Sequence, residues 1–173
     1  MDDFEKGDFP KGVNPPLPPN PKAVSDDVIL DMALKKEDYS VRFYQAVMEL
    51  VEDGEAKRIL SHLIEEERRH FRLLSDALIH GGYDKIGVPV ERNSLEMTDY
   101  LIKKEIENTS GPADIMRLAI RREEAAEEFY LSRINYIKDK KLKDLYSRLA
   151  AEEGGHRKTL LSGYDDLMIT DET

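Results

Sequence analysis

No cysteine occurs anywhere in the 173 residues. Its absence excludes disulfides, thiol nucleophiles and zinc ribbons, and fits a reducing compartment. Long apolar runs are missing too, so no membrane-spanning helix is expected. Positive charge is in deficit: 26 Lys and Arg stand against 36 Asp and Glu, a formal charge of -10. That balance argues against nucleic acid or an anionic membrane as partner. The first residues carry neither a basic start nor an apolar h-region, so no secretory signal is expected and the cytoplasm is the default location. Proline becomes scarce after residue 23, because six of the eight prolines fall between Pro10 and Pro21.

Residues 1–23 therefore read as a proline-rich arm favouring extended polyproline II conformation. It is either a loose tail or an arm laid across the protein and anchored by Phe4, Phe9, Val13 and Leu17. Residues 24–166 read as one helical domain rich in Glu, Lys, Leu and Ala, followed by a short acidic tail at 167–173.

Within that domain one pattern occurs twice. Ala33-Leu-Lys-Lys-Glu37, Phe43-Tyr44 and Glu66-Glu67-Arg-Arg-His70 match Ala119-Ile-Arg-Arg-Glu123, Phe129-Tyr130 and Glu152-Glu153-Gly-Gly-His156. The offset is the same throughout: 123 − 37, 153 − 67 and 156 − 70 all give 86. Residues three apart share a helix face, so Glu67 with His70, and Glu153 with His156, can reach one ion. Glu52-Asp53-Gly54-Glu55 offers a reversal between Glu37 and Glu67, and Lys138-Asp139-Lys140 a second in the other half. At 1.5 Å per residue, Glu37 and Glu67 each sit roughly 20 Å from the first reversal, at nearly one height. Four helices thus bring four Glu and two His to one level. These positions lie on apolar stripes, where unpaired charges are costly, and four buried carboxylates without counter-charge point to metal.

The first helix is expected from Ser25, with Asp26 and Asp27 in its first turn. Leu30, Ala33, Leu34, Val41, Tyr44 and Met48 share the face of Glu37. The second runs over about 55–79, stopped by Gly81-Gly82, with Leu60, Leu63, Ile64, Phe71, Leu74 and Leu78 on its apolar side. Residues 81–111 form a long connection with a short helix near 94–107, capped by Asn93 or Ser94. Pro112 opens the third long helix, expected to reach about Ile137, and the fourth spans about 141–164.

This doubled set resembles the ferritin-like superfamily, and within it the rubrerythrin-type di-iron carboxylate proteins, over roughly residues 25–165. The resemblance implies an all-α, ferritin-like four-helix bundle, with a long crossover between helices 2 and 3, built from two sequence-similar helical hairpins. It implies two Fe ions per chain, bridged by Glu67 and Glu153, with Glu37 and Glu123 each capping one and His70 and His156 each completing one. The donor set also suits Mn or Zn. The implied activity is reduction of hydrogen peroxide or dioxygen at a di-iron centre, with Glu67 and Glu153 as its catalytic bridges. Without cysteine the chain cannot carry rubrerythrin's own rubredoxin iron, so an external electron-donor protein is implied. Alternatives are a ferroxidase or iron-handling protein similar to bacterioferritin, a metal-loaded interaction module presenting the arm, and, more distantly, hydroxylation of an organic substrate.

Tyr44 and Tyr130 read first as core residues, with a hydrogen bond to a ligand carboxylate as the alternative. Glu66 and Glu152 read as boundary residues, His62 and His80 as surface. Glu127, four after Glu123, is either a boundary residue or a supporting group at the site; rubrerythrins place their additional carboxylate one position earlier, where this chain has Ala126. Gly154 and Gly155 replace the arginines of the first copy, through drift or a close approach by the arm or a second subunit. A homodimer is expected.

Overall fold

The computed structural model describes residues 24–81, 92–109 and 111–170. The proline-rich arm, Gly82 and the first part of the connection lie outside them. Among the described residues there are five helices and no strand: α1 (Asp26–Leu50), α2 (Gly54–His80), α3 (Arg92–Glu107), α4 (Pro112–Ile134) and α5 (Lys140–Thr170). None is long and apolar enough to cross a membrane. The short loops 51–53 and 135–139 fold α1 on α2 and α4 on α5 as two helical hairpins, which meet along α2 and α5.

Local chemistry sets the helix ends. Ser25 is the N-cap of α1 with extended backbone, and the Asp53 carboxylate caps α2 by accepting from the Ala56 N–H at 2.8 Å. Gly111 precedes Pro112 at the start of α4 with φ +154°, a conformation that suits glycine. Asp26 does more than complement its own helix. Its carboxylate accepts from the backbone N–H of Lys138 at 2.8 Å and of Asp139 at 2.7 Å, clasping the start of α1 to the α4–α5 loop.

Two ends differ from the sequence expectation. α4 stops at Ile134, three residues short of Ile137, which is nevertheless buried in the loop. α5 continues to Thr170, past Tyr164 and into the stretch read as tail. No glycine or proline follows Gly163 to stop it.

The core falls into two apolar clusters. One gathers Ile29, Leu30, Leu34, Leu74, Phe129, Tyr146 and Leu149 among others; the other gathers Phe43, Val47, Leu60, Leu63, Ile64, Ile102 and Leu160. Each fully buried side chain of this kind contributes about 2 kcal/mol of transfer free energy. α1 and α5 pass from the first cluster to the second, whereas α2 and α4 pass from the second to the first. On all four long helices a polar level separates the clusters. Leu30, Ala33, Leu34 and Tyr44 are buried as the periodicity predicts, while Val41, Met48 and Leu78 are half-buried. Phe71 departs from the prediction: it is 37% exposed, in a shallow groove with Asp38, Val41, Arg68 and Arg72. Among the described residues α2 packs chiefly on α1, with a smaller contact to α5, so its buried stripe is narrower than its apolar one.

Candidate metal centre

The polar level holds all six residues singled out by the repeat. Glu37 on α1, Glu67 and His70 on α2, Glu123 on α4, and Glu153 and His156 on α5 are all buried. They form two overlapping tetrads, Glu37–Glu67–His70–Glu153 and Glu67–Glu123–Glu153–His156, each with one ligand atom per residue inside a 4.8 Å span. Glu67 and Glu153 belong to both. Each tetrad takes three residues from one hairpin and one from the other. Glu66 also comes within the same span of both imidazoles.

The tyrosines lie deeper in the site than core packing alone requires. The Tyr44 hydroxyl donates to Glu123 Oε1, and that of Tyr130 to Glu37 Oε1, so each hairpin holds the terminal carboxylate of the other. The alternative reading of these residues is the one the structure adopts. Both rings are almost completely buried, which fixes the hydroxyls in place.

The histidines are held differently. His70 Nε2 lies 2.8 Å from Glu152 Oε2, and that carboxylate also accepts from Arg69 Nη2 at 2.6 Å. With the proton on Nε2, the His70 Nδ1 lone pair faces Glu153 at 3.6 Å, Glu67 at 3.9 Å and Glu37 at 4.0 Å. His156 Nδ1 stands closer, 3.2 Å from Glu153 and 3.3 Å from both Glu67 and Glu123. The two rings stack at 5.5 Å. Glu66, read with Glu152 as a boundary residue, pairs with Arg69 at 2.8 Å, a bond that lowers its pKa.

Lys36 was not legible as a site residue. Its side chain is 2% exposed, and Nζ lies 2.6 Å from Glu153, 3.2 Å from Glu37 and 3.9 Å from Glu67. The four carboxylates therefore do not lack a counter-charge, contrary to the sequence argument. Burial alone would depress the Lys36 pKa, but Glu153, Glu37 and Glu67 more than offset it and raise it. Among the carboxylates, burial and the Glu153 charge push Glu123 up to about 8. Burial likewise holds Glu37 well above the usual range, with Lys36 opposing. Glu153 is held well below it, because Lys36, His156 and His70 outweigh burial, and Glu67 is lowered chiefly by Lys36 and His156 against burial and Glu153. His156 is raised to about 12: burial disfavours its charge, but the carboxylates of Glu123, Glu153 and Glu67 beside it prevail. Without metal, Lys36 and His156 thus supply the positive charge that balances the carboxylates in part.

That balance leaves polar atoms unsatisfied. Both oxygens of Glu67, Nδ1 of His70 and Oε2 of Glu123 are buried without a hydrogen-bond partner. Stranding such atoms is costly, and they are the ones a divalent ion in either tetrad would take. The site fits metal on these grounds: buried clusters of Glu and His that could hold an ion.

The remaining expectations resolve locally. Glu127 belongs to neither tetrad; it is half-buried and pairs with Arg157 Nη2 at 3.2 Å. A Cβ on Gly154 would meet Glu127 Oε1 at 2.9 Å, so the close approach at this glycine comes from within the chain, while Gly155 faces open space. His62 and His80 are exposed, as read. Arg122, also buried, donates to Tyr39 at 3.0 Å and to Glu105 of α3, with its guanidinium 3.8 Å from the Phe43 ring centre. Lys36 and Glu152 had a signal in the sequence: each has a like-charged counterpart 86 positions away, Arg122 and Glu66. No family model, curated protein or solved structure matches the chain.

Proposed function

We propose that the protein is a di-metal carboxylate oxidoreductase of the rubrerythrin type, reducing hydrogen peroxide or dioxygen. The observation that carries this reading is the pair of tetrads sharing Glu67 and Glu153. Two shared carboxylates favour chemistry in which two ions act together over separate mononuclear sites. The fold is read as ferritin-like: the order of the core clusters makes α2 and α4 run in the same direction, as a long crossover through α3 requires.

A di-iron pair held there would supply the two electrons with which hydrogen peroxide and two protons give two water molecules. The chain's part is positioning. Glu67 and Glu153, which belong to both tetrads, would be shared by the two ions, with Glu37 and His70 available to one and Glu123 and His156 to the other. The Tyr44 and Tyr130 hydroxyls orient Glu123 and Glu37, and Glu152 orients His70 through Nε2. Both tetrads are buried, which keeps bulk water out. In this proposal electrons return from an external donor protein. A cytoplasmic homodimer completes the proposal.

Anaerobic Fe(II) loading followed by separate peroxide and dioxygen additions tests the reading. Peroxide should oxidise the loaded protein much faster than dioxygen. Equal rates would move the assignment to a ferroxidase, and no oxidation to a metal-loaded interaction module.

A further inference from the structure

We propose that Lys36 is a built-in cation that competes with metal for the Glu37–His70 half of the centre, so that the halves load in order, the Glu123–His156 half first. The inference rests on the di-metal reading and concerns how that centre fills. Lys36 Nζ is within ion-pair distance of Glu37, Glu67 and Glu153, the three carboxylates of one tetrad, and its ion pairs do not extend to Glu123. Glu67 and Glu153 serve both tetrads, but Lys36 sits on Glu153 Oε1 and Glu67 Oε2, whereas His156 Nδ1 faces Glu153 Oε2, Glu67 Oε1 and Glu123 Oε2; among the described residues no lysine or arginine pairs with those three oxygens of the other tetrad. Its corresponding basic residue, Arg122, is engaged with Tyr39 and Glu105.

The two halves therefore present different obstacles to an incoming ion. In the Glu123–His156 half, the group facing the carboxylates is the ring of His156, itself one of the four residues that would hold the ion. No side chain has to move aside. In the other half, the Nζ 2.6 Å from Glu153 takes up the space and the oxygen lone pairs that metal needs. Metal–oxygen bonds of about 2.0–2.2 Å leave no room for an ammonium among the same oxygens. Two cations a few ångströms apart also repel strongly in a buried site. Lys36 must swing out on its flexible stem before the second ion can bind. Because the proposed chemistry uses both ions, Lys36 would set the metal concentration at which the protein becomes competent.

Zn(II) calorimetry with elemental analysis, on wild type and Lys36→Met, tests this. Wild type should show two binding events differing at least about tenfold in affinity, the scale on which groups around a metal act. Lys36→Met, similar in length and uncharged, should strengthen the weaker event until the two nearly coincide, leaving the tighter one in place. His70→Ala should remove the weak event and His156→Ala the tight one. Two equal events in wild type, an unchanged separation in Lys36→Met, or a tight event that follows His70 would each overturn the proposal. Absence of any binding to wild type would sink the di-metal reading as well, a different result from two equal events. Should Lys36→Met not fold without metal, wild-type crystals given one equivalent of Mn(II) decide the matter. An anomalous peak in the Glu123–His156 half alone supports the proposal, and equal peaks in both halves overturn it.

Discussion

In the first hairpin the basic residue before the terminal glutamate, Lys36, turns inward among the carboxylates; in the second, Arg122 turns outward to Tyr39 and Glu105. Both side chains are buried and both precede a residue of the metal centre. What separates them is the neighbourhood. The helix α3 packs on α1 and brings Glu105 to Arg122, and among the described residues the carboxylates that Lys36 meets are those of the tetrads. Side-chain chemistry agrees with the outcome: a planar guanidinium stacks on Phe43 and bonds sideways, whereas a compact ammonium on a slim stem fits between carboxylates. With α3 beside Arg122, two like halves are unlike at their shared centre.

The largest expected effect tests what the halves have in common. Glu67→Ala or Glu153→Ala should remove binding of both ions, whereas Glu37→Ala or Glu123→Ala should remove one. With metal at a hundred times its dissociation constant, wild type gains about 2.7 kcal/mol per site, and the bridge variants should lose this gain in thermal melts. A bridge variant that keeps one ion at full affinity would mean that the tetrads are independent.

Next comes Arg122. Arg122→Met leaves Glu105 without its buried partner and should cost about 3 kcal/mol in denaturant unfolding, with α3 becoming sensitive to protease. Zinc affinity should stay within about threefold, since Arg122 makes none of the ion pairs within the tetrads. A collapse of zinc affinity would show that Arg122 acts on the centre as Lys36 does, and the contrast between the halves would fail.

A pH series gives a smaller effect. Glu123, raised to about 8, contributes stability that is full below its ordinary value of 4.5 and is lost as pH rises through 8. His156, raised to about 12, acts with the same sign, its contribution declining as pH rises above 6.5. Glu67 and Glu153, both lowered, contribute fully above about pH 5 and do not offset this loss. The metal-free protein should therefore lose stability between pH 5.5 and 8.5, while the metal-loaded form, whose ligands are already deprotonated, should not. Differential scanning calorimetry at both pH values checks the sign; a metal-free form that gains stability as pH rises would contradict it.

The smallest effect separates two adjacent glycines. Gly155→Ala, in open space within a helix, should stabilise by about 0.5–1 kcal/mol. Gly154→Ala gains the same propensity but pushes the Glu127 carboxylate aside, so its net change should be near zero. Equal gains at both would mean that Glu127 yields at no cost.

The sequence carried the six Glu and His positions because a repeat of constant offset reports which residues share a level, whatever surrounds them. It also carried the helices, through periodicity and the Ser25 and Pro112 starts, whereas Asp53, read only as part of a reversal, caps α2. Lys36 stayed hidden because a lysine next to a ligand, about 100° around the helix, reads as solvated, and only assembled carboxylates make its burial favourable. Asp26 read as a partner of its own helix, although the N–H groups it accepts from are 112 and 113 residues away. Phe71 read as core because periodicity marks an apolar side without saying how much of it a neighbour covers.

One consequence of the shared tetrads concerns time. A separated hairpin lacks one ligand of the tetrad it mostly supplies, so full coordination has to wait until the hairpins dock. α1 with α2, and α4 with α5, are neighbours in the chain and close early; contacts such as Asp26 to Lys138 span most of it and close late. An ion bound only after that last event leaves the rate of folding unchanged and slows unfolding, roughly a hundredfold at a hundred times its dissociation constant. Metal would then govern how long the folded chain lasts, not how quickly it forms.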